Sequence, residues 1–282
     1  MFPLLLMASL VCADSNPQVA SEAQGRVGAA AAVIDGKTVL EFHSHEHFPM
    51  QSVYKLPVGM AVLAQVDGGK LHLDQIVHVN KNEYVSKGQK SPLRDVNPNG
   101  ADVPLSELLR LAILESDGTA SDVLLRLIGG PTAAMKFLAT IGVKDITIRD
   151  TEMRLGQDNA VQYRNWATPK SAIDLLRAVQ ESRGLSAASH ARLMKFLTET
   201  TTFPHRIKGL LPPGTLVAHK TGSSGTRDGI AAATNDIGIA TLPDGRYLAI
   251  AVFVSDSKAD DDTRDRVIAR IARDAWDRAV QK

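Results

Sequence analysis

The sequence predicts an α+β fold, in which an antiparallel sheet is built from both ends of the chain and flanked by helices, with an all-helical lobe inserted between its halves. Patterns typical of strands lie at residues 26–42 and again at 216–255, whereas residues 53–198 follow helical spacing. A final amphipathic helix closes the chain. We therefore expect an α/β lobe of residues 24–49 plus 205–282, and a helical lobe of residues 50–204.

The composition is that of a globular protein, and its balanced charge predicts a substrate that is small or neutral overall. Of 282 residues, 44% are hydrophobic and 22% are charged, which is enough for one large domain or two packed lobes. The 32 basic and 31 acidic residues give a net charge of +1, so no basic surface for nucleic acid is expected. After the first residues, no apolar run approaches the roughly 20 residues of a membrane span.

Residues 1–13 have the features of an export signal. Phe2 to Val11 are apolar, and Val11-Cys12-Ala13 would allow cleavage before Asp14, although the segment has no Lys or Arg. Lipid attachment at Cys12, the only cysteine, is an alternative. The sequence thus predicts a periplasmic or secreted protein that is stabilised by its core rather than by disulfides.

The first strands form a predicted hairpin. Arg26–Asp35 and Lys37–Phe42 flank a turn at Gly36, and the run of small residues in the first strand predicts close packing by helices. His43, His45 and His47 alternate at its end, which would place them on one strand face. Since no fourth ligand is evident, we predict no metal site and no cofactor.

Helical spacing then continues to about Phe203, and start signals such as Pro131 and Pro169 support several of the helices. The predicted helices are Val53–Val66, Leu105–Ile113, Thr119–Ile128, Pro131–Ile141, Pro169–Val179 and Ala187–Thr198. Strand patterns return at Leu216–Thr221, at Gly229–Leu242 with a bend at Asn235-Asp236, and at Tyr247–Ser255, before a helix at Asp262–Val280.

Ser52-Val53-Tyr54-Lys55 is the first motif that suggests chemistry. The apolar spacing that follows predicts a helix beginning at Ser52, with Lys55 one turn along the same face. An amine could then take the serine proton, and the helix N-terminus offers N–H groups to an oxyanion. Ser52 is therefore a candidate nucleophile, although an ordinary N-cap serine and a solvated lysine fit the same residues.

Two further motifs follow in order. Ser116-Asp117-Gly118 lies on a loop between two apolar helices, and Lys220-Thr221-Gly222-Ser223 closes a strand, where the glycine lets a substrate approach the backbone. With the first motif they match the set found in class A β-lactamases and penicillin-binding proteins. The chain resembles a class A serine β-lactamase over its mature length, and Val161–Trp166 is similar to the segment after the Ω-loop in the PER-like extended-spectrum subgroup.

The resemblance implies acyl transfer with these roles. Ser52 attacks the β-lactam carbonyl while Lys55 and Glu152 manage its proton, and the N–H groups of Ser52 and Ser223 hold the oxyanion. Ser116, in the field of Lys220, relays a proton to the ring nitrogen. Glu152 on the Ω-loop, which we define as residues 149–159, then activates the deacylating water.

The resemblance also implies the groups that bind the substrate. These are Thr221, Gly222, Ser223, Arg206 and Gly118. Arg206 matches the position that some members use for the substrate carboxylate when the strand after Lys220-Thr221-Gly222 carries no arginine, and Ile237 stands here where others have it. A surface charge is the alternative for Arg206. Gly118 replaces the usual asparagine, and Gly156 replaces an asparagine or histidine that helps to hold the water, which puts substrate range and deacylation in doubt.

The expected function is hydrolysis of β-lactams by a monomer. A D,D-peptidase-like transpeptidase of the same fold is one alternative, and a penicillin-binding or sensing protein that deacylates slowly is another. The resemblance does not specify the preferred class of β-lactam.

Overall fold

The computed structural model describes residues 16–281, so the predicted export signal and Cys12 lie outside the described residues. In chain order the α-helices are α1 Asn16–Ser21, α2 Lys55–Asp67, α3 Pro92–Val96, α4 Leu105–Ile113, α5 Gly118–Ile128, α6 Pro131–Thr140, α7 Glu152–Leu155, α8 Pro169–Gln180, α9 Ala187–Glu199 and α10 Asp261–Val280. The strands are β1 Arg26–Val33, β2 Thr38–Phe42, β3 Phe48–Pro49, β4 Ile76–Val79, β5 Ala101–Pro104, β6 Ile146–Thr147, β7 Trp166–Ala167, β8 Val217–Ser223, β9 Thr226–Arg227, β10 Ile230–Ala231, β11 Thr234–Thr241 and β12 Tyr247–Ser255.

The main sheet confirms the predicted α+β class. Its strands lie in the order β2-β1-β12-β11-β8, and each neighbouring pair is antiparallel. β1 near the start of the chain pairs along its whole length with β12 near the end, from Arg26 opposite Ser255 to Val33 opposite Leu248. Both ends of the chain therefore build one sheet, with the helices α2 to α9 between them.

Helices cover both faces of the sheet, which explains the small residues of β1. Ala30 and Ala32 belong to the core on the side of α2 and α8, whereas Ala29 and Ala31 belong to the core under α10. A Cβ atom at Gly28 would overlap the ring of Phe48. The predicted close packing of this strand is thus confirmed, and each helix approaches because the strand carries little side-chain volume.

The predicted long helices are confirmed to within two residues at each end, but the start at Ser52 is wrong. Residues Gln51–Tyr54 form a 3-10 turn, and α2 begins at Lys55. The turn backbone is held from behind, because Asn235 Nδ2 donates to the carbonyls of Pro49 and Met50 over 2.8 and 3.1 Å.

The predicted bend at Asn235-Asp236 is also wrong. β11 runs without interruption through both residues, and the break lies earlier, between β10 and β11. Both side chains have tertiary partners: Asn235 Nδ2 donates to the carbonyls that precede the turn before α2, and Asp236 accepts from Ile207 N and lies 2.9 Å from His219 Nδ1. Tertiary partners therefore override the turn preference of these residues.

The three alternating histidines lie in the turn between β2 and β3, not on a strand. Their contacts diverge: His43 Nδ1 lies 2.9 Å from the carbonyl of Val27, and the His47 ring stacks on Trp166 at 3.5 Å. Among residues 16–281, no group of three or more His, Cys, Asp or Glu side chains is arranged to hold a metal ion.

Within the same residues, no single helix is both long and apolar enough to cross a membrane, and α5 with α6 meets that test only as a pair bent by 73°.

Candidate active site

A cleft of about 240 Å³ collects several of the predicted site residues. Ser116, Glu152 and Ser223 line it, together with Gln51, the neighbour of Ser52. Ser52 itself lies in the 3-10 turn and is half-buried. β8 passes so close to this turn that a Cβ atom at Gly222 would overlap the Met50 carbonyl and lie 3.2 Å from Ser52 N, so only glycine fits there.

Lys55 lies beneath the cleft at the start of α2. It is 1% exposed, so the alternative of a solvated lysine is wrong. Its Nζ atom donates to the carbonyl of Ser116 over 2.8 Å and lies 3.3 Å from Glu152 Oε2. A buried lysine needs such partners, because removing an ammonium from water is costly.

Ser116 and Lys220 form the second contact of the cluster. Ser116 lies in the loop between α4 and α5, as predicted, and has a left-handed φ of 63°. Its hydroxyl accepts a hydrogen bond from Lys220 Nζ over 2.9 Å. Burial and the nearby charge of Lys55 hold the pKa of Lys220 well below its usual range, while Asp236 and Glu152 act in the opposite direction. This lysine therefore releases its proton more easily than an exposed one.

Glu152 is the first residue of α7, within the Ω-loop, and it is buried rather than solvated. Its Oε2 atom accepts from Tyr54 Oη over 3.2 Å and lies next to Lys55. Three separate segments thus bring the Lys55 ammonium, the Ser116 carbonyl and the Glu152 carboxylate to one place.

Asp122, on α5, holds the Ω-loop by its backbone. Its two oxygens accept from Glu152 N over 2.6 Å and from Met153 N over 2.9 Å. Burial, followed by the charge of Glu152, raises the pKa of Asp122 to about 7, although the two N–H groups favour its ionised form. Sequence reasoning missed both Asp122 and Tyr54, because nothing in the helical pattern of either segment marks which side chain faces the loop.

The end of β8 is supported by Arg206, which is 3% exposed, so the surface-charge alternative is wrong. Arg206 donates to Ser223 Oγ over 2.7 Å and to the carbonyls of Gly222 and Asn235 over 3.1 and 2.9 Å. Asp265 Oδ1 neutralises it at 2.7 Å. A buried cation therefore stands directly behind the serine hydroxyl that faces the cleft.

Two neighbours of Ser223 complete this side of the cleft. Thr221 is buried and its hydroxyl lies 3.0 Å from that of Thr202. On the neighbouring strand β11, Ile237 pairs with Lys220 and is fully buried, whereas Thr234 is the residue opposite Ser223.

The two unusual glycines leave room for other side chains. A Cβ atom at Gly118 would lie 2.8 Å from Glu152 Cγ, so a side chain here would press on the carboxylate. A Cβ atom at Gly156 would overlap the carboxamide of Gln89, whose Nε2 donates to the carbonyl of Glu152. Gln89, which sequence reasoning also missed, therefore fills the space that a side chain at position 156 would need.

This contact predicts that Gly156→Asn and Gln89→Ala are coupled. Alone, Gly156→Asn should displace Gln89 and lower the melting temperature, whereas in Gln89→Ala the new side chain finds space. A double-mutant cycle of unfolding free energies should give a coupling of about 0.5–3 kcal/mol. Gly68→Asn, at the end of α2 where a Cβ atom makes only ordinary contacts, is the control. Additive effects of the first pair would contradict the predicted contact.

The sequence and the fold of this chain are both similar to those of known beta-lactamases. The sequence profile of the beta-lactamase enzyme family matches residues 14–279. The extended-spectrum beta-lactamase PER-1 of Pseudomonas aeruginosa is 42% identical over 91% of this chain and 83% of its own length. Beta-lactamase VEB-1 of the same organism is 39% identical over 91% and 86%. A crystal structure of a beta-lactamase from Chitinophaga pinensis superposes with a TM-score of 0.89 at 44% identity, covering 94% of this chain and 98% of that one.

Proposed function

The chain belongs to the beta-lactamase enzyme family and is a class A serine β-lactamase, and from this premise we propose that it hydrolyses β-lactams through an acyl-enzyme on Ser52, with deacylation assisted by Glu152. One observation carries the proposal. Lys55 Nζ lies between the Glu152 carboxylate and the carbonyl of Ser116, whose hydroxyl is bonded to Lys220. This arrangement offers a proton acceptor and a proton donor within one cleft.

In acylation, Ser52 attacks the lactam carbonyl while Lys55, with Glu152, takes its proton. The N–H groups of Ser52 and Ser223 hold the oxyanion, which is supported by the close approach of β8 to the turn at Ser52. Ser116 passes a proton to the departing ring nitrogen. Lys220 favours this transfer, because its Nζ atom donates to the Ser116 hydroxyl in a place shielded from water.

In deacylation, Glu152 acts as the general base on a water that attacks the ester carbonyl. Its position at the cleft lining supports this role, as does the fixed backbone of the Ω-loop at Asp122. Gln89 holds the carbonyl of Glu152 from the other side. The absence of a side chain at Gly156 is thus offset in packing by the Gln89 carboxamide.

The substrate carboxylate is proposed to bind Thr221 and Ser223, with Arg206 behind them. A hydroxyl that is bonded to a buried guanidinium is a better donor to an anion than an isolated one. Gly222 and Gly118 provide backbone surface to the substrate rather than side-chain donors. The enzyme is further proposed to act as a monomer in the periplasm or outside the cell, with its cleft between the lobe of residues 24–49 and 205–282 and the lobe of residues 50–204.

A progress curve with nitrocefin tests the proposed function. The expected result is steady hydrolysis far beyond one equivalent of product per enzyme, with a transient mass increase located at Ser52 by peptide mapping. A single stoichiometric burst followed by a persistent adduct would overturn the proposal in favour of a slowly deacylating sensing protein. The test distinguishes a hydrolase from a sensing protein, and it matters here because Gly118 and Gly156 stand where other family members carry polar side chains.

A further inference from the structure

Tyr54 lies within the first motif, and its buried hydroxyl reaches the Glu152 carboxylate. The residue is 0% exposed, and it donates to Glu152 Oε2 over 3.2 Å while accepting from Ser121 Oγ over 3.3 Å. Burial and then the charge of Glu152 raise the pKa of Tyr54 well above its usual value. The phenol therefore stays neutral and remains a hydrogen-bond donor throughout the working pH range.

Both contacts with the Glu152 carboxylate fall on the same oxygen. Lys55 Nζ lies 3.3 Å from Oε2, the atom that Tyr54 also reaches. Among residues 16–281 no protein hydrogen bond is formed to Oε1, while Glu152 lines the cleft. The two oxygens thus have different tasks: Oε2 is anchored in the protein, and Oε1 is left for water.

We propose that Tyr54 is a positioning residue for deacylation, which with Lys55 anchors Glu152 Oε2 so that Oε1 faces the attacking water. The inference rests on the proposed function, because it concerns the base that acts in that step. It also assigns Ser121 a role as the donor that orients and polarises the phenol. A chain of three groups, from Ser121 through Tyr54 to Glu152, then joins α5 to the Ω-loop.

Loss of the Tyr54 hydroxyl is expected to shift the pH dependence of deacylation in one direction. A donor to an ionised carboxylate stabilises the ionised form, so removing it makes the carboxylate harder to ionise. The other charged groups near Glu152 remain in place: Lys55 on α2, Asp122 on α5, Lys220 on β8 and Lys90 at the cleft lining. Asp122, whose pKa is about 7, titrates in the same range and is present in parent and variant alike, so the acidic limb of the variant is compared with that of the parent.

Tyr54→Phe tests the inference with one atom removed. We expect the acidic midpoint of the deacylation rate to move to higher pH by about one unit, the order expected when a carboxylate loses one donor. Deacylation at neutral pH should fall about 3–10-fold, while the acylation rate from stopped-flow mixing changes less than about 2-fold. Tyr247→Phe, at the exposed start of β12, is the matched control. An unmoved acidic midpoint, or an equal loss in both steps, would overturn the inference.

Ser121→Ala extends the test. It should move the acidic midpoint in the same direction by a smaller amount, and it should add nothing to Tyr54→Phe, because its effect passes through the phenol. Independent shifts would contradict the proposed chain.

Glu152→Gln, measured in the same assays, separates the proposed function of Glu152 from the proposed role of Tyr54. If Glu152→Gln turns over like the parent enzyme, the proposed role of Glu152 in deacylation fails, whereas a normal Tyr54→Phe profile with Glu152→Gln trapped removes only the role of Tyr54.

Discussion

Glu152→Gln is expected to acylate and then stop. The amide keeps the shape of the carboxylate and still accepts from Tyr54, but it cannot take a proton from water. Positioned base catalysis contributes about 10²–10⁴ in rate, so deacylation should slow by that factor. Intact-protein mass spectrometry after mixing with a penicillin should show one covalent adduct that persists while the parent enzyme has returned to its free mass.

Glu115→Gln is a suitable control, since Glu115 lies next to Ser116 but pairs with Arg110 outside the cluster. It should turn over like the parent enzyme. Unchanged turnover in Glu152→Gln would contradict the role of Glu152 and favour the transpeptidase-like alternative, which needs no such carboxylate. Loss of adduct formation would instead assign the Ser52 proton to Glu152 during acylation.

The elements that sequence predicted well are those in which a local pattern and tertiary packing agree. β12 has the predicted bounds, and α4 begins and ends where its apolar spacing does. The errors occur where tertiary partners decide. The turn at Ser52 is 3-10 where β8 packs closely against it and Asn235 donates to the carbonyls just before it. β11 passes straight through Asn235-Asp236, whose side chains have tertiary partners.

In the site, too, the sequence predicts the residues of the motifs but not the tertiary contacts that hold them. Motif order was enough to predict that Lys55, Ser116 and Lys220 matter, and the structure brings them to one cluster with Glu152. Burial was not predictable, since a surface position was an open alternative for both Lys55 and Arg206. Residues that hold the site from behind, such as Tyr54 and Gln89, carry no sequence signal because their task follows from distances between segments remote in the chain.

Asp122→Ala is expected to give the largest loss of stability among these variants. It removes the acceptor of both Glu152 N and Met153 N, and a buried donor left without a partner costs about 1–3 kcal/mol. Because both bonds are only part-buried, we expect a loss of about 2–3 kcal/mol in the free energy of unfolding, or about 5–10 °C in melting temperature. Asp174→Ala, on the exposed side of α8, should change stability by less than about 0.5 kcal/mol.

The loss in Asp122→Ala should also depend on pH. The pKa of Asp122 is about 7 in the folded protein and 3.8 for an unperturbed aspartate, so between these values the folded state binds a proton that the unfolded state has released. The stabilising contribution is therefore complete below pH 3.8 and declines as pH rises towards about 7. The stability difference between parent and variant, from urea unfolding, should narrow over that interval. A constant difference would mean that Asp122 is ionised throughout, with its two N–H donors outweighing its burial.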